Sequence, residues 1–326
     1  MSEFDLIKRY FKSSAQQRDD VILGIGDDCA LLSPPAGKLL AHSTDTLIAG
    51  VHFPQQTAAS DIGYKSLAVN LSDLAAMGAE PAWASLAITL PSASESWLEQ
   101  FMQGFNQLAS QYNLALVGGD TTRGPLSITV GVTGFVDAVN SFRRSNARAG
   151  DAVFVSGTIA DARLGLELLQ DENTATGCTQ VDRAFLLERL NRPTPRLDVA
   201  RLLSPYPIAA IDLSDGLLGD LQHICDASGL GARIDLNKIP LSTAAHNRLH
   251  NRIDWPLILN AGDDYELCFS CKPEDIASIQ KTMRVHQIQV TQIGEITAAT
   301  GIVCELDGQA FSLDKVSGYD HFSREE

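Results

Sequence analysis

The chain has 326 residues, 44% hydrophobic and 20% charged, which excludes a wholly disordered or fibrous polypeptide and leaves room for two domains with their own cores. Lys and Arg total 25 against 40 Asp and Glu, a net charge of −15, which argues against a broad nucleic-acid or anionic-membrane surface. Such a balance raises the question of what holds the carboxylates together.

In chain order, Asp5–Phe11 reads as a short amphipathic helix, and Val21–Ile25 and Lys38–His42 as strands. Ala59–Met77 has helical periodicity and stops at Gly78; Trp83–Leu90 is strand-like and stops at Pro91. Ser94–Tyr112 is a second long helix, followed by strands Leu114–Val117 and Leu126–Val136. The polar, Arg-rich stretch Asn140–Asp151 interrupts the pattern and marks the expected domain boundary. Beyond it come strand Ala152–Ser156, helices Asp161–Gln170 and Asp182–Leu190, strand Ile208–Ile211, helix Leu217–Ala227 and strand Ala232–Leu236. Strands are then expected at Leu257–Leu259, Tyr265–Ser270, Gln287–Ile293 and Gly301–Glu305, with a helix near Pro273–Met283. The fold class is mixed α/β (α+β), with domains 1–148 and 149–326.

The N-terminal Met-Ser-Glu-Phe-Asp lacks a basic region followed by an apolar core, and the longest charge-free stretch, Gln100–Gly119, is too polar to cross a bilayer. A cytoplasmic location is therefore expected. The six scattered cysteines then read as free thiols, and Cys268-x-x-Cys271, lying in a strand with no second pair, reads as packing.

The aspartates fall in a pattern. Asp27 and Asp28 follow a strand in Gly24-Ile25-Gly26-Asp27-Asp28, and Ser43-Thr44-Asp45, Gly118-Gly119-Asp120 and Ile211-Asp212-Leu213-Ser214-Asp215-Gly216 are read as ending strands. Gly262-Asp263-Asp264 precedes one, while Asn70 and Asp73 share a helix face at i,i+3 spacing. One such motif alone reads as a turn; six of them point to a shared site. If Asp28, Asp45, Asp73 and Asp120 converge, each pair about 4 Å apart repels by roughly 4 kcal/mol at an effective dielectric near 20. Hard cations would relieve that repulsion, and oxygen-only ligands favour Mg²⁺ over zinc. Gly24-x-Gly26 is a poor dinucleotide fingerprint because Cys29 stands where the third glycine belongs, and neither a Walker A sequence nor a His-Arg-Asp kinase loop occurs. Arg123, Arg143, Arg144 and Arg148 read either as a phosphate clamp or as solvated surface charge. Ser214 reads as a phosphate donor or as a cap for the helix after it.

Taken with Asp264-Tyr-Glu-Leu-Cys-Phe269 and Gly318-Tyr-Asp-His-Phe322, these motifs resemble the thiamine-monophosphate kinase family of the aminoimidazole-ribonucleotide-synthetase-like ATP-binding superfamily, from about Phe4 to Phe322. The resemblance implies a homodimer whose N-terminal domains pair into a β-barrel, with ATP and several Mg²⁺ ions at the domain cleft and K⁺ as a further candidate ion. It implies transfer of the ATP γ-phosphoryl group to thiamine monophosphate. By family pattern Asp28, Ser43, Thr44, Asp45, Asp73, Asp120, Asp212 and Asp215 bind metal; Gly119, Asp120, Arg144 and Ser214 contact ATP; and His52, Asp263 and Tyr319 contact the thiamine substrate. Where the family usually has Gly-Gly-Glu-Asp-Tyr-Glu, this chain has Ala261-Gly262-Asp263-Asp264-Tyr265-Glu266, one methylene shorter at Asp263, which leaves room for a bridging water. The acceptor phosphate is already anionic, so no protein nucleophile or general base is expected. The alternatives are another ATP-using enzyme of the superfamily or a non-catalytic ATP/Mg²⁺-binding protein.

Overall fold

The structure is a computed structural model that describes residues 7–12, 16–170, 177–250 and 252–312. It divides into two compact units, Met1–Leu74 with Ala79–Val139, and Ala75–Gly78 with Asn140–Glu326.

In the first unit, β1 (Val21–Leu23) and β2 (Leu31–Leu32) form a small ribbon. The strands β3 (Leu39–Ile48), β4 (Glu80–Leu90), β5 (Ala115–Arg123) and β6 (Ser127–Val136) form a sheet of order β3-β6-β4-β5. Only the β4–β5 pair is parallel. Burial alternates along β3, with Leu40, His42, Thr44, Thr46 and Ile48 exposed. Ser43, Asp45 and Leu47 project instead to the face that carries α1 (Ala59–Ala76). That helix is almost wholly buried, its polar Lys65, Ser66, Asn70 and Ser72 included. It meets α2 (Glu95–Gln111) closely: a Cβ on Gly63 would lie 2.0 Å from the Phe101 carbonyl oxygen, and one on Gly104 would lie 1.7 Å from that of Ser60. Glycine at both positions lets the two backbones touch.

The second unit is built on a seven-stranded sheet, with β7 (Ala152–Ser156), β8 (Ala209–Asp212), β9 (Gly231–Asp235), β10 (Leu267–Cys271), β11 (Val290–Thr297), β12 (Gly301–Leu306) and β13 (Gln309–Phe311) in the order β13-β12-β9-β11-β7-β10-β8. Its helices are α3 (Asp161–Gln170), α4 (Gln180–Asn191), α5 (Leu197–Leu203), α6 (Leu217–Ser228), α7 (Thr243–Arg248), α8 (Trp255–Leu259) and α9 (Ile276–Val285). One continuous core joins Val153 and Val155 of β7 to Leu217, Leu221 and Ile224 of α6 and Ile293 of β11. Cys268 and Cys271 are free and buried in β10, and burial pushes both thiols up, so neither is a reactive centre.

Two expectations are corrected here. Leu257–Leu259 is helical: the Asp254 carboxylate accepts from the Leu257 N–H at 3.1 Å and Pro256 sits in the first turn, an N-terminal signal in Asp-Trp-Pro that the apolar run obscured. Ser43–Asp45 and Gly118–Asp120 do not end strands but lie inside β3 and β5, which are longer than the runs expected at Lys38–His42 and Leu114–Val117. Among the described residues no helix is long and apolar enough to cross a membrane.

Candidate active site

In the first unit Asp45 and Asp73 meet where α1 lies on β3. The Ser43 hydroxyl donates to Asp73 Oδ2 at 2.5 Å, and the Asp45 backbone N–H donates to Asn70 Oδ1 at 3.1 Å. Asn70 is fully buried, and its Nδ2 donates to the Ser66 carbonyl at 3.0 Å, so one amide satisfies both the helix and an edge-strand N–H. Burial, and then the neighbouring Asp73 carboxylate, push Asp45 up to about 6.

The other expected members lie elsewhere in this unit. The two-residue period of β3 turns Thr44 to the opposite face, where its Oγ1 is 3.3 Å from His42 Nε2. The register Asp45↔Val130↔Leu86↔Gly119 sets Asp45 and Gly119 on the two edge strands, three strand spacings or about 14 Å apart along the sheet. Asp120, opposite Ala87, is exposed in the next row. Gly119 has φ +154, and a Cβ there would lie 1.8 Å from the Leu86 carbonyl oxygen. Asp28 is exposed in the loop after β1, where its N–H donates to Asp27 Oδ1 at 2.9 Å. His52 closes the turn after β3, its Nδ1 accepting from the Ile48 N–H at 3.0 Å.

The donor set of Ser43, Asp45 and Asp73 is oxygen only, and a raised carboxylate beside a second acid is an environment short of positive charge, so the residues present fit Mg²⁺. Among the described residues no three His, Cys, Asp or Glu side chains lie close enough to hold a metal ion, so the expected gathering of four aspartates reduces in this chain to the Asp45–Asp73 pair. A cation held there would complete its shell with water or phosphate oxygens, as Mg²⁺ commonly does.

In the second unit Asp212 ends β8, and the turn after it carries Ser214 and Asp215. The N–H groups of Ser214, Asp215 and Gly216 all donate to Asp220 Oδ2, at 3.0, 3.1 and 3.2 Å. Asp220 is not among the residues that the sequence singles out: it stands one position past the N3 place of a capping box, after an N-cap Gly216 that has no side chain. Burial pushes its carboxyl up to about 7, against the pull of those N–H donors. The Asp263 N–H donates to the Ser214 carbonyl at 2.9 Å and the Tyr265 N–H to that of Leu213 at 2.8 Å, so the two acidic loops are zipped together. Asp263 and Tyr265 have φ of +69 and +50, and the Tyr265 hydroxyl donates to Asp263 Oδ1 at 3.3 Å.

Asp264 and Glu266 are wholly buried. Asp264 accepts from the N–H groups of Ala160 and Ala162 at 2.6 and 3.2 Å, capping α3, and burial raises its carboxyl well above the usual range, with Asp161 adding to the rise. Glu266 pairs with Arg189 Nη2 at 2.7 Å and with Arg196 Nε at 2.5 Å, and accepts from the Ser156 hydroxyl at 2.5 Å. Arg144 is exposed in a short turn, Arg144–Asn146, whose first carbonyl accepts from the Ser228 hydroxyl at 2.8 Å. Tyr319 lies outside the described residues.

The sequence matches the models of AIR synthase related protein, N-terminal domain, over residues 26–136, and AIR synthase related protein, C-terminal domain, over 148–307. It is 45% identical to thiamine-monophosphate kinase of Escherichia coli K12 over 98% of each chain, and 34% identical to that of Bacillus subtilis over 99% of this chain and 100% of the relative. The crystal structure of thiamine-monophosphate kinase from Stenotrophomonas maltophilia superposes with a TM-score of 0.85 at 45% identity, covering 95% of this chain and 98% of that one. AaThiL complexed with AMPPCP and TMP superposes at 0.77 with 31% identity, covering 98% and 97%. Escherichia coli HypE, a hydrogenase maturation protein, shares the fold at 0.76 with 20% identity over 96% of this chain and 98% of that one. With full-length identity of this order and two matching domains, the chain belongs to the thiamine-monophosphate kinase family of enzymes.

Proposed function

We propose that this chain transfers the γ-phosphoryl group of ATP to thiamine monophosphate, giving thiamine diphosphate and ADP by direct in-line displacement without a phosphoenzyme. The observation that carries the reading is the half-buried Asp45 carboxyl beside Asp73, where Ser43 holds an oxygen of Asp73 and Asn70 holds the Asp45 backbone. Magnesium, when bound, supplies the positive charge that offsets repulsion between the two phosphate groups.

The chain's own residues hold and orient. Asn70 ties the strand backbone to the helix at Asp45 and Ser43 holds one oxygen of Asp73, which limits the reorganisation of the pair on binding a cation. Asp28, Thr44, Asp120, Asp212 and Asp215 are assigned to further Mg²⁺ ions that arrive with ATP. Gly119, Asp120, Arg144 and Ser214 are assigned to ATP. His52, Asp263 and Tyr319 are assigned to the substrate, whose thiazolium cation suits a carboxylate and an aromatic ring. Tyr265 supports this role by holding one oxygen of Asp263. No side chain is assigned as nucleophile or general base, because the attacking phosphate oxygen carries its own charge.

The domain boundary is kept at 148/149 as a proposal; the family models leave 137–147 between them, and the compact units divide at 139/140. The homodimer and a cytoplasmic location belong to the same reading.

Incubation with ATP, Mg²⁺ and thiamine monophosphate tests the proposal. Thiamine diphosphate and ADP are expected in equal amounts, with no transfer to unphosphorylated thiamine. ATP binding without turnover would instead indicate a non-catalytic binder, and a rapid-quench burst of enzyme-bound phosphate would rule out direct transfer.

A further inference from the structure

The N-terminus of α6 would ordinarily attract an anion, because its first N–H groups have no partner within the helix. Here the three N–H groups that lead into the helix, rather than those of its first turn, are taken up by one of the helix's own side chains. Asp220, in the helix's own first turn and 2% exposed, brings one carboxylate oxygen within 3.0–3.2 Å of three successive N–H groups, those of Ser214, Asp215 and Gly216. With those three donors held by Asp220, the Ser214–Gly216 turn offers a phosphate its side chains rather than its own backbone N–H groups, which leaves the N–H groups from Leu217 on as the helix's contribution.

The turn is fixed from a second side. The Ser214 carbonyl accepts from Asp263, and Gly216, at φ +118, lies against Asn260, where a Cβ would come within 2.8 Å of the Asn260 carbonyl carbon. Gly262 lies equally close, since a Cβ there would be 2.5 Å from the Ser214 carbonyl oxygen.

We infer that Asp220 is a positioning residue for phosphoryl transfer: its carboxylate oxygen holds the Ser214–Gly216 turn so that Ser214 and Asp215 present their side chains to ATP and its cations. This rests on the assignment of Ser214 and Asp215 made above. It adds a residue that touches neither reactant and acts through three backbone N–H groups. The chemistry required at Asp220 is an acceptor oxygen at this reach, so Asn should replace it, whereas Ala and the longer Glu should not.

The test compares Asp220→Asn, Asp220→Ala and Asp220→Glu in the full chain. The readouts are the Kd of a non-hydrolysable ATP analogue by calorimetry, hydrogen exchange at the 214–216 amides, and kcat with the KM for each substrate. Expected for Ala and Glu is a rise of about 10- to 100-fold in analogue Kd and KM for ATP, with a smaller change in KM for thiamine monophosphate. Loss of amide protection at 214–216 accompanies it, and Asn recovers most of the affinity and protection. Should Ala fail to fold, the contrast between Asn and Glu carries the same information. Unchanged analogue affinity in Ala and Glu, or Asn as impaired as Ala, overturns the inference. Because analogue binding is read without turnover, a wild-type protein that binds ATP but makes no thiamine diphosphate overturns the proposed reaction and leaves the Asp220 result readable.

Discussion

Ser43 on β3 donates its hydroxyl to Asp73 on α1, thirty residues along the chain, at 2.5 Å, and the next inward-facing residue of the strand, Asp45, is tied to the same helix through Asn70. One strand and one helix thus set two carboxylates side by side with a hydroxyl and an amide as braces. Replacing Asn70 by Leu keeps the number and branching of the side-chain heavy atoms but leaves the Asp45 N–H without its acceptor. The expected cost is about 1–3 kcal/mol in denaturant unfolding, with lower turnover in the protein that remains folded.

Gly119→Ala should disrupt the parallel β4–β5 pairing. The added methyl would lie 1.8 Å from the Leu86 carbonyl oxygen, at a φ of +154 that disfavours any side chain. Because the obstacle is backbone, the loss should exceed about 3 kcal/mol and appear as a large fall in Tm.

Glu266→Gln removes the negative charge between Arg189 and Arg196 while keeping the side chain's shape. Breaking a buried ion pair from one side costs about 3–5 kcal/mol, chiefly from the charge left unmatched. Chemical denaturation should show a drop of that size. Replacing Glu295, whose pair with Arg233 is half exposed, should cost little.

Asp20 links Arg18, which it meets at 2.9 and 2.6 Å, to the indole N–H of buried Trp83, at 2.9 Å. The Arg18 hydrogen bonds, with Trp83 adding to them, hold its carboxyl below the ordinary value of 3.8, against the opposing effect of burial. A lowered folded value means that the folded state binds its proton less tightly than the unfolded chain. The stabilisation is therefore complete above pH 3.8 and is lost as pH falls through the depressed value. Asp20→Asn should be less stable than wild type at neutral pH, and the difference should shrink on acidification below 3.8. A constant difference across that range would count against the linkage.

Much of this fold could be read from periodicity. Ala59–Ala76, Glu95–Gln111, Ala152–Ser156 and Asp161–Gln170 match the expected elements to within a residue or two, because their apolar repeats coincide with burial. Short helices such as Leu197–Leu203 and Thr243–Arg248 were not anticipated, since a turn or two gives too little repeat to count and the Ser242 cap is a single residue. At the candidate site, composition revealed the aspartates but not their faces. Thr44 and Asp45 part because adjacent residues of one strand face opposite ways, which reading Ser43–Asp45 as a strand end obscures; whether Gly119 lies beside Asp45 depends on strand register, which is a property of pairs of strands and is absent from either alone. Asp220 was invisible for a related reason: its partners are backbone N–H groups, which leave no mark in residue types.

The most direct test of the account is thiamine diphosphate formation as a function of Mg²⁺ concentration in wild type and Asp45→Asn, with folding checked by circular dichroism. The account predicts turnover by the wild type that saturates with Mg²⁺ and vanishes with chelator, and a loss of at least about 100-fold in folded Asp45→Asn, a transition-state cost of about 2.7 kcal/mol. Near-normal turnover by Asp45→Asn, or undiminished wild-type turnover in chelator, would contradict it.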